Sequence, residues 1–299
     1  MSIDNVKNEI VKAPLFRRIG VAITDLFFLF FLFLILNSYV LSPIVALTTS
    51  YTKITEEYKE VILNSNLYVY VDNSYQEIID IYDEEKQTKK EFYEYIDSKL
   101  IKFYEKYNTE NINISTYNES KQESNLFNSD NSIKNESSLD SLKTFFEKEY
   151  NEALRLFNNY DDKYLDLART ITIYSIVIMI SALTIAAIIL YLIIPLFMNN
   201  GETIGKKLFS IGLASAKDGF KVKRSQIIVR FLVFFILELL LSIFTLGIPL
   251  VISFSMLVFN KNGYSLHDYL AATICIDRKN TIIYKDYEEF INHERIVLK

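Results

Sequence analysis

The chain has 299 residues, 50% of them hydrophobic, and a formal net charge of −5. Its charge is segregated: residues 48–170 hold 15 Lys and Arg against 25 Asp and Glu, and the rest of the chain holds 17 against 12. Three apolar blocks, at about 19–47, 171–198 and 227–259, exclude an ordinary soluble domain, because a helix needs about 20 apolar residues to cross a hydrocarbon core, and the single Cys275 excludes an intramolecular disulfide.

The first block opens as RRIGVAITDLFFLFFLFLIL, residues 17–36. Lys7, Lys12, Arg17 and Arg18 precede it, and short basic flanks stay in the cytoplasm. The leading segment is long and mixed, and LNSYVLSPIVAL is a poor cleavage site. The block therefore reads as an uncleaved first transmembrane helix over 14–47, with the N-terminus cytoplasmic.

Residues 48–170 then lie outside the cytoplasm as an acidic insertion. In TKKEFYEYIDSKLIKFYEKY, residues Phe92, Tyr95, Ile96, Leu100 and Phe103 fall on one face at helical spacing. The following Asn/Ser-rich tract has little to bury, so 109–138 reads as disordered. Ser138 is placed to cap a second helix, LDSLKTFFEKEYNEALRLF, that leads toward block two. The insertion is expected to be a helical hairpin, with a ligand-binding sensor domain as the other reading.

Block two runs inward over 171–198, and the loop 199–225 carries Lys206, Lys207, Lys217, Lys221, Lys223 and Arg224, which agrees with a cytoplasmic face. Block three is 33 residues long, between one span and two. TLGIPL supplies Gly247 and Pro249 as a break, which favours two short helices at about 226–245 and 247–261. One kinked span is the alternative. Residues 278–299 form a cytoplasmic tail. The expected fold is an all-α membrane protein, a bundle of four transmembrane helices with a helical extracytoplasmic insertion.

Four polar features stand against this apolar background. Asp25 lies eight and seven residues after Arg17 and Arg18, roughly 10–12 Å along a helix axis, too far for a direct pair. Glu238 interrupts FLVFFILELLLSIF, with Arg230 eight residues before it on nearly the same face. Each carboxylate is either a proton or cation ligand or one half of a structural ion pair. His267 and Asp268 follow the last block, and Asp268 is also placed to cap a short helix YLAATI. With two histidines in the chain, no metal site is expected. The segment NGETIGKKLFSIGLASAKDG, 199–219, lacks the spacing of a phosphate loop. It reads as an interfacial strand or turn with lysines at the headgroups. With no catalytic motif, neither enzyme activity nor a cofactor is expected, and neither nucleotide nor nucleic acid as a partner.

Taken together, FRRIGVAITDLFFL, GETIGKKLFSIGL, SQIIVRFLVFF and LHDYLAATICI occur in an order that resembles the RDD family of polytopic membrane proteins. The resemblance covers about 14–47 and 171–277. It implies that Arg17 or Arg18 (Arg18 is the better match), Asp25 and Asp268 are the family's namesake residues. It also implies that Gly201, Thr203, Gly205 and Lys206 form a loop motif, and that Arg230 opens the third span. Family members usually join the first two spans by a short loop, so the insertion here is a departure. A basic group, Arg230 or a loop lysine, is expected to meet Asp25 and close a polar cluster with Asp268.

Two functions remain open. One is a small transporter, such as a cation/proton antiporter, in which Asp25, Glu238 and Asp268 carry ions and four short helices require a homo-oligomer. The other is a membrane scaffold or assembly factor whose insertion binds an envelope or membrane protein. A third, envelope sensing, lacks a signalling domain. The plasma membrane of a bacterium is the expected location.

Overall fold

The architecture is that of a computed structural model, which describes residues 10–82, 88–108, 112–134, 137–260 and 263–297. The chain falls into two compact units, Met1–Pro43 with Ile178–Lys299, and Ile44–Val177. In chain order the elements are α1 (Leu15–Thr48), α2 (Tyr51–Asn64), β1 (Tyr68–Val71), β2 (Ser74–Glu77), α3 (Lys89–Lys106), α4 (Ile114–Glu123) and α5 (Leu139–Tyr160), then α6 (Asp162–Phe197), α7 (Ile204–Leu208), β3 (Ile211–Ser215), α8 (Arg224–Phe244), α9 (Ile248–Phe259), α10 (Leu266–Leu270), β4 (Thr273–Asp277) and α11 (Tyr287–Val297). The fold is mostly helical, but the two short sheets correct the all-α expectation.

Among the described residues three helices, α1, α6 and α8, are long and apolar enough to cross a membrane. Each contains a π-helical stretch, at Leu36–Leu41, Ile189–Ile193 and Val233–Leu240 respectively. The widened turn leaves one extra residue without the usual ladder partner, a feature common at functional sites, and Glu238 sits in the third of them. The helix breaks over 245–247. Gly247 takes φ +86°, which a side chain would resist, and Pro249 opens the next helix. With 12 residues, α9 is about 18 Å long, short of a hydrocarbon core of about 30 Å.

The first unit closes through a sheet that composition did not reveal. β3 pairs antiparallel with β4, from Ile211 opposite Asp277 to Ser215 opposite Thr273, and all ten residues are buried. On the far edge of β4, the amide of Ala13 donates to Cys275 (3.1 Å) and that of Asp277 to Val11 (2.9 Å). The segment before α1 therefore extends the same ladder. The expected helix YLAATI is instead the end of α10 followed by β4: Ala272 has φ +50°, which stops the helix and redirects the chain.

The second unit is a packed core and not a hairpin stalk. Phe92, Ile96, Leu100 and Phe103 of α3 are buried as their spacing predicts, with Tyr95 half-buried. They meet Phe146, Tyr150, Ala153 and Phe157 of α5. Tyr93 stacks on Phe146 at 5.4 Å, and Tyr150 donates to the Leu67 carbonyl at 3.2 Å, tying the β1–β2 hairpin to the core. Ser138 caps α5 by accepting from the Ser141 amide (3.1 Å). α5 stops at Asp161, whose side chain accepts from the Tyr164 amide (2.7 Å) and starts α6, so the two are not one helix.

The tract expected to be disordered contains α4 and a bridge between Phe127 and Ile133; residues 109–111 and 135–136 of it lie outside the described residues. Two side chains supply the reason. Tyr117 is buried on Tyr104 (5.1 Å between rings), and Lys121, at 0% exposure, gives its ammonium to both oxygens of Asp97 at 2.8 Å beneath the Phe127 ring. A buried cation stays buried only with such partners. Lys121→Met is expected to cost about 1–3 kcal/mol, read as faster amide exchange across 114–123 than elsewhere in the unit. Unchanged exchange there would refute the anchoring role.

Candidate functional site

A cavity of about 280 Å³ in the first unit is lined by Arg18, Asp25, Lys206, Arg230, Glu238, His267 and Asp268. α1 delivers Arg18 and Asp25 two turns apart on one face, and both are buried. α8 delivers Arg230 and Glu238 in the same way, eight residues apart. α7 and α10 are single turns that add Lys206 and Asp268.

Among the described residues Asp25 forms no ion pair. Its Oδ2 accepts from the Thr203 hydroxyl at 2.5 Å and its Oδ1 from the Gly205 amide at 2.8 Å. Thr203 also caps α7, accepting from the Lys206 amide (3.3 Å). The expected basic partner for Asp25 is thus replaced by a hydroxyl and a backbone amide at the start of a helix, where donors are free. Gly205 is required for this: a Cβ there would stand 2.7 Å from Asp25 Oδ1 and 2.9 Å from the Val21 carbonyl.

Arg230 pairs directly with Asp268 Oδ1 and donates to Thr273 Oγ1 at 3.0 Å. Arg18 stands further off, 3.7 Å from Asp268 Oδ2. Ser265 completes the set, donating to Asp268 Oδ2 at 2.8 Å and accepting from the Asp268 amide at 3.4 Å. The cap of α10 is therefore Ser265, and Asp268 lies inside the helix, where it was expected to be the cap. Burial alone would raise the Asp268 pKa; Arg230, His267, Lys206 and Arg18 overcome this and hold the carboxyl well below the usual carboxylate range.

Glu238, at 2% exposure, accepts from the His267 amide (3.0 Å) and faces His267 Nδ1 from both oxygens, at 2.9 and 3.0 Å. This Glu–His pair joins two positions that sequence treated separately. Lys206 lines the cavity at 5% exposure with no ion pair among the described residues. Burial and the like charge of Arg230 lower its pKa; Asp25 and Asp268 act in the opposite sense. Gly201, with φ +61°, also borders the cavity.

Arg17 is outside this cluster. It binds the Phe209 and Ser210 carbonyls (2.9 Å to Ser210) and pairs with Asp277 at 2.9 Å, fastening the start of α1 to the β3–β4 sheet. Of the two arginines, Arg18 is the one that reaches Asp268. Sequence reasoning missed Ser265 and Thr273. For Ser265 a signal existed, because Ser-x-x-Asp before an apolar run is a capping pattern. Thr273, inside a strand read as helix, had none.

A family model described as "RDD family" matches residues 153–272. The match starts after α1, so Arg18 and Asp25 lie outside it. No curated protein and no solved structure matches the chain.

Proposed function

Because this membrane-type chain carries an RDD family domain, we propose that it is a small ion transporter in which Glu238 and His267 exchange a proton and the neighbouring carboxylates set the charge of the pathway. The observation that carries the reading is the buried Glu238, within a π-helical stretch of a membrane-type helix, facing the half-buried His267 on the wall of a charged cavity. A buried carboxylate facing an imidazole can pass a proton between two groups whose charged states depend on each other.

The topology proposed is four-pass, with α9 as a short fourth helix. The pairing of β3 with β4 supports it: one strand precedes α8, the other follows α9, and a ladder needs both on one face of the membrane. The segment at 11–13 joins the same ladder, which supports placing the N-terminus, 199–225 and the C-terminal tail together, on the cytoplasmic side by their lysines and arginines. The plasma membrane, the extracytoplasmic side for 48–170 and a homo-oligomer belong to the same proposal.

In proteoliposomes with a trapped pH dye, Na⁺, K⁺ or Li⁺ gradients are expected to move protons. Glu238→Gln is expected to reduce that flux to background while remaining monodisperse. Full flux from folded Glu238→Gln would overturn the assignment. A scaffold role is the second reading, favoured by the exposed Tyr70 and Tyr75 side by side on the β1–β2 hairpin (4.9 Å between rings), an aromatic surface suited to a protein partner. That reading predicts that loss of 86–138 abolishes function while Glu238→Gln does not.

A further inference from the structure

Each buried carboxylate of the cavity already has its donors. Asp25 is held by Thr203 and Gly205, Asp268 by Arg230, Thr273 and Ser265, and Glu238 by His267. Two donors are left over. Lys206, at 5% exposure, makes no ion pair among the described residues, and the Nε–H of Arg18, at 9% exposure, has no acceptor among them, although its terminal nitrogen stands 3.7 Å from Asp268. Both residues line the same cavity. Buried donors without acceptors are costly and rare, and what they lack is oxygen lone pairs. A metal cation would add to their repulsion, so the deficit is one that an oxyanion fills.

From these unsatisfied donors we infer that the cavity is a binding site for a phosphate oxyanion, held by Lys206 and by the Nε edge of Arg18. The chemistry fits: lysine serves phosphate as a point charge and arginine as a directional donor. The size fits too, because about 280 Å³ is at the small end of ligand pockets and takes a headgroup or a small ester. The apolar wall adds a preference. Leu26 and Phe254, which border the cavity, are also about half exposed on the outside of the unit, so one route to the charged floor runs past hydrocarbon-facing side chains. The phosphate comes either from an anionic membrane lipid or from a soluble ester. The site is independent of whether the protein transports protons.

The test uses full-length protein purified in a neutral detergent. In one arm, inorganic phosphate is titrated against chloride at matched ionic strength and thermal unfolding is followed. In the other, phosphatidylglycerol or phosphatidylcholine is supplied and retained lipid is read by native mass spectrometry. Stabilisation by phosphate beyond that of chloride identifies a soluble ligand. Selective retention of phosphatidylglycerol identifies a lipid headgroup. In either case Lys206→Met is expected to weaken binding about tenfold or more, and Lys206→Arg to keep most of it. Without ligand, Lys206→Met is expected to unfold no earlier than wild type, since it removes an unpaired buried charge. Wild-type protein that responds to neither probe overturns the proposal whether or not the variant folds, as does binding equally strong in folded Lys206→Met. Proton flux is read separately, so a failed binding test leaves the transport reading to stand or fall alone.

Discussion

Arg230→Met is expected to destabilise the protein by about 3–5 kcal/mol, the usual consequence of removing one partner from a buried ion pair. The loss is large because Asp268 remains. Its carboxylate is 2% exposed, and without Arg230 it keeps Thr273, Ser265, the weak donor Cys275 Sγ at 3.8 Å and the more distant Arg18. Adding Asp268→Asn to Arg230→Met is therefore expected to recover part of the stability, and the double-mutant cycle isolates the coupling. Thermal unfolding in detergent measures all four proteins; additive effects would show that the two residues do not act as a pair. A pH series carries the same information. The folded Asp268 pKa is depressed, so its contribution is fully present above the unfolded value of about 3.9 and is lost as pH falls through the folded value. Wild type is expected to keep this contribution at pH 5, and Asp268→Asn to show a flatter acid limb.

Gly205→Val is the second large effect. The new Cβ would meet Asp25 Oδ1 at 2.7 Å and the Val21 carbonyl at 2.9 Å, and the carbonyl belongs to a helix that cannot give way. α7 must move off α1, and the Gly205 amide then leaves a buried carboxylate. Overpacking and the lost charged hydrogen bond together are expected to cost about 3–5 kcal/mol. Gly205→Ala should show a smaller loss of the same sign. If Asp25→Asn is introduced beside Gly205→Val, the two losses should be less than additive, because both break one contact. Wild-type melting of Gly205→Val would mean that the approach of α7 to α1 is not needed.

The long helices were legible because α1, α6 and α8 carry long, strongly apolar runs. The sheet was not. IGLAS and TICID are five-residue segments buried throughout, so they show no alternation, and a short apolar run does not distinguish strand from helix. The hairpin at 68–77 carries turn chemistry in Asp72-Asn73, which both take positive φ, but no strand was read there. In the cavity, charge matching found the right participants and mispaired one of them. It gave Arg230 and Asp268 a shared cluster, and sought a cation for Asp25. A backbone amide has no letter of its own, so the Gly205 contact could be inferred only from the glycine's lack of a side chain. The insertion was misjudged for a related reason: asparagine and serine dominate 109–138 by number, yet Tyr117 and Lys121 decide its structure.

The contact between Asp25 and Gly205 spans 180 residues, and that separation is also an interval of time. A ribosome adding about 5–20 residues per second makes Gly205 roughly 10–35 s after Asp25. Throughout that wait α1 must rest in the bilayer with its carboxylate uncapped. The position of Asp25, eight residues from Arg17 and not at mid-helix, keeps it within reach of the interface and its water for as long as the partners are unborn. Moving the same aspartate two turns deeper would leave its final hydrogen bonds possible on paper and penalise every nascent chain before they could form.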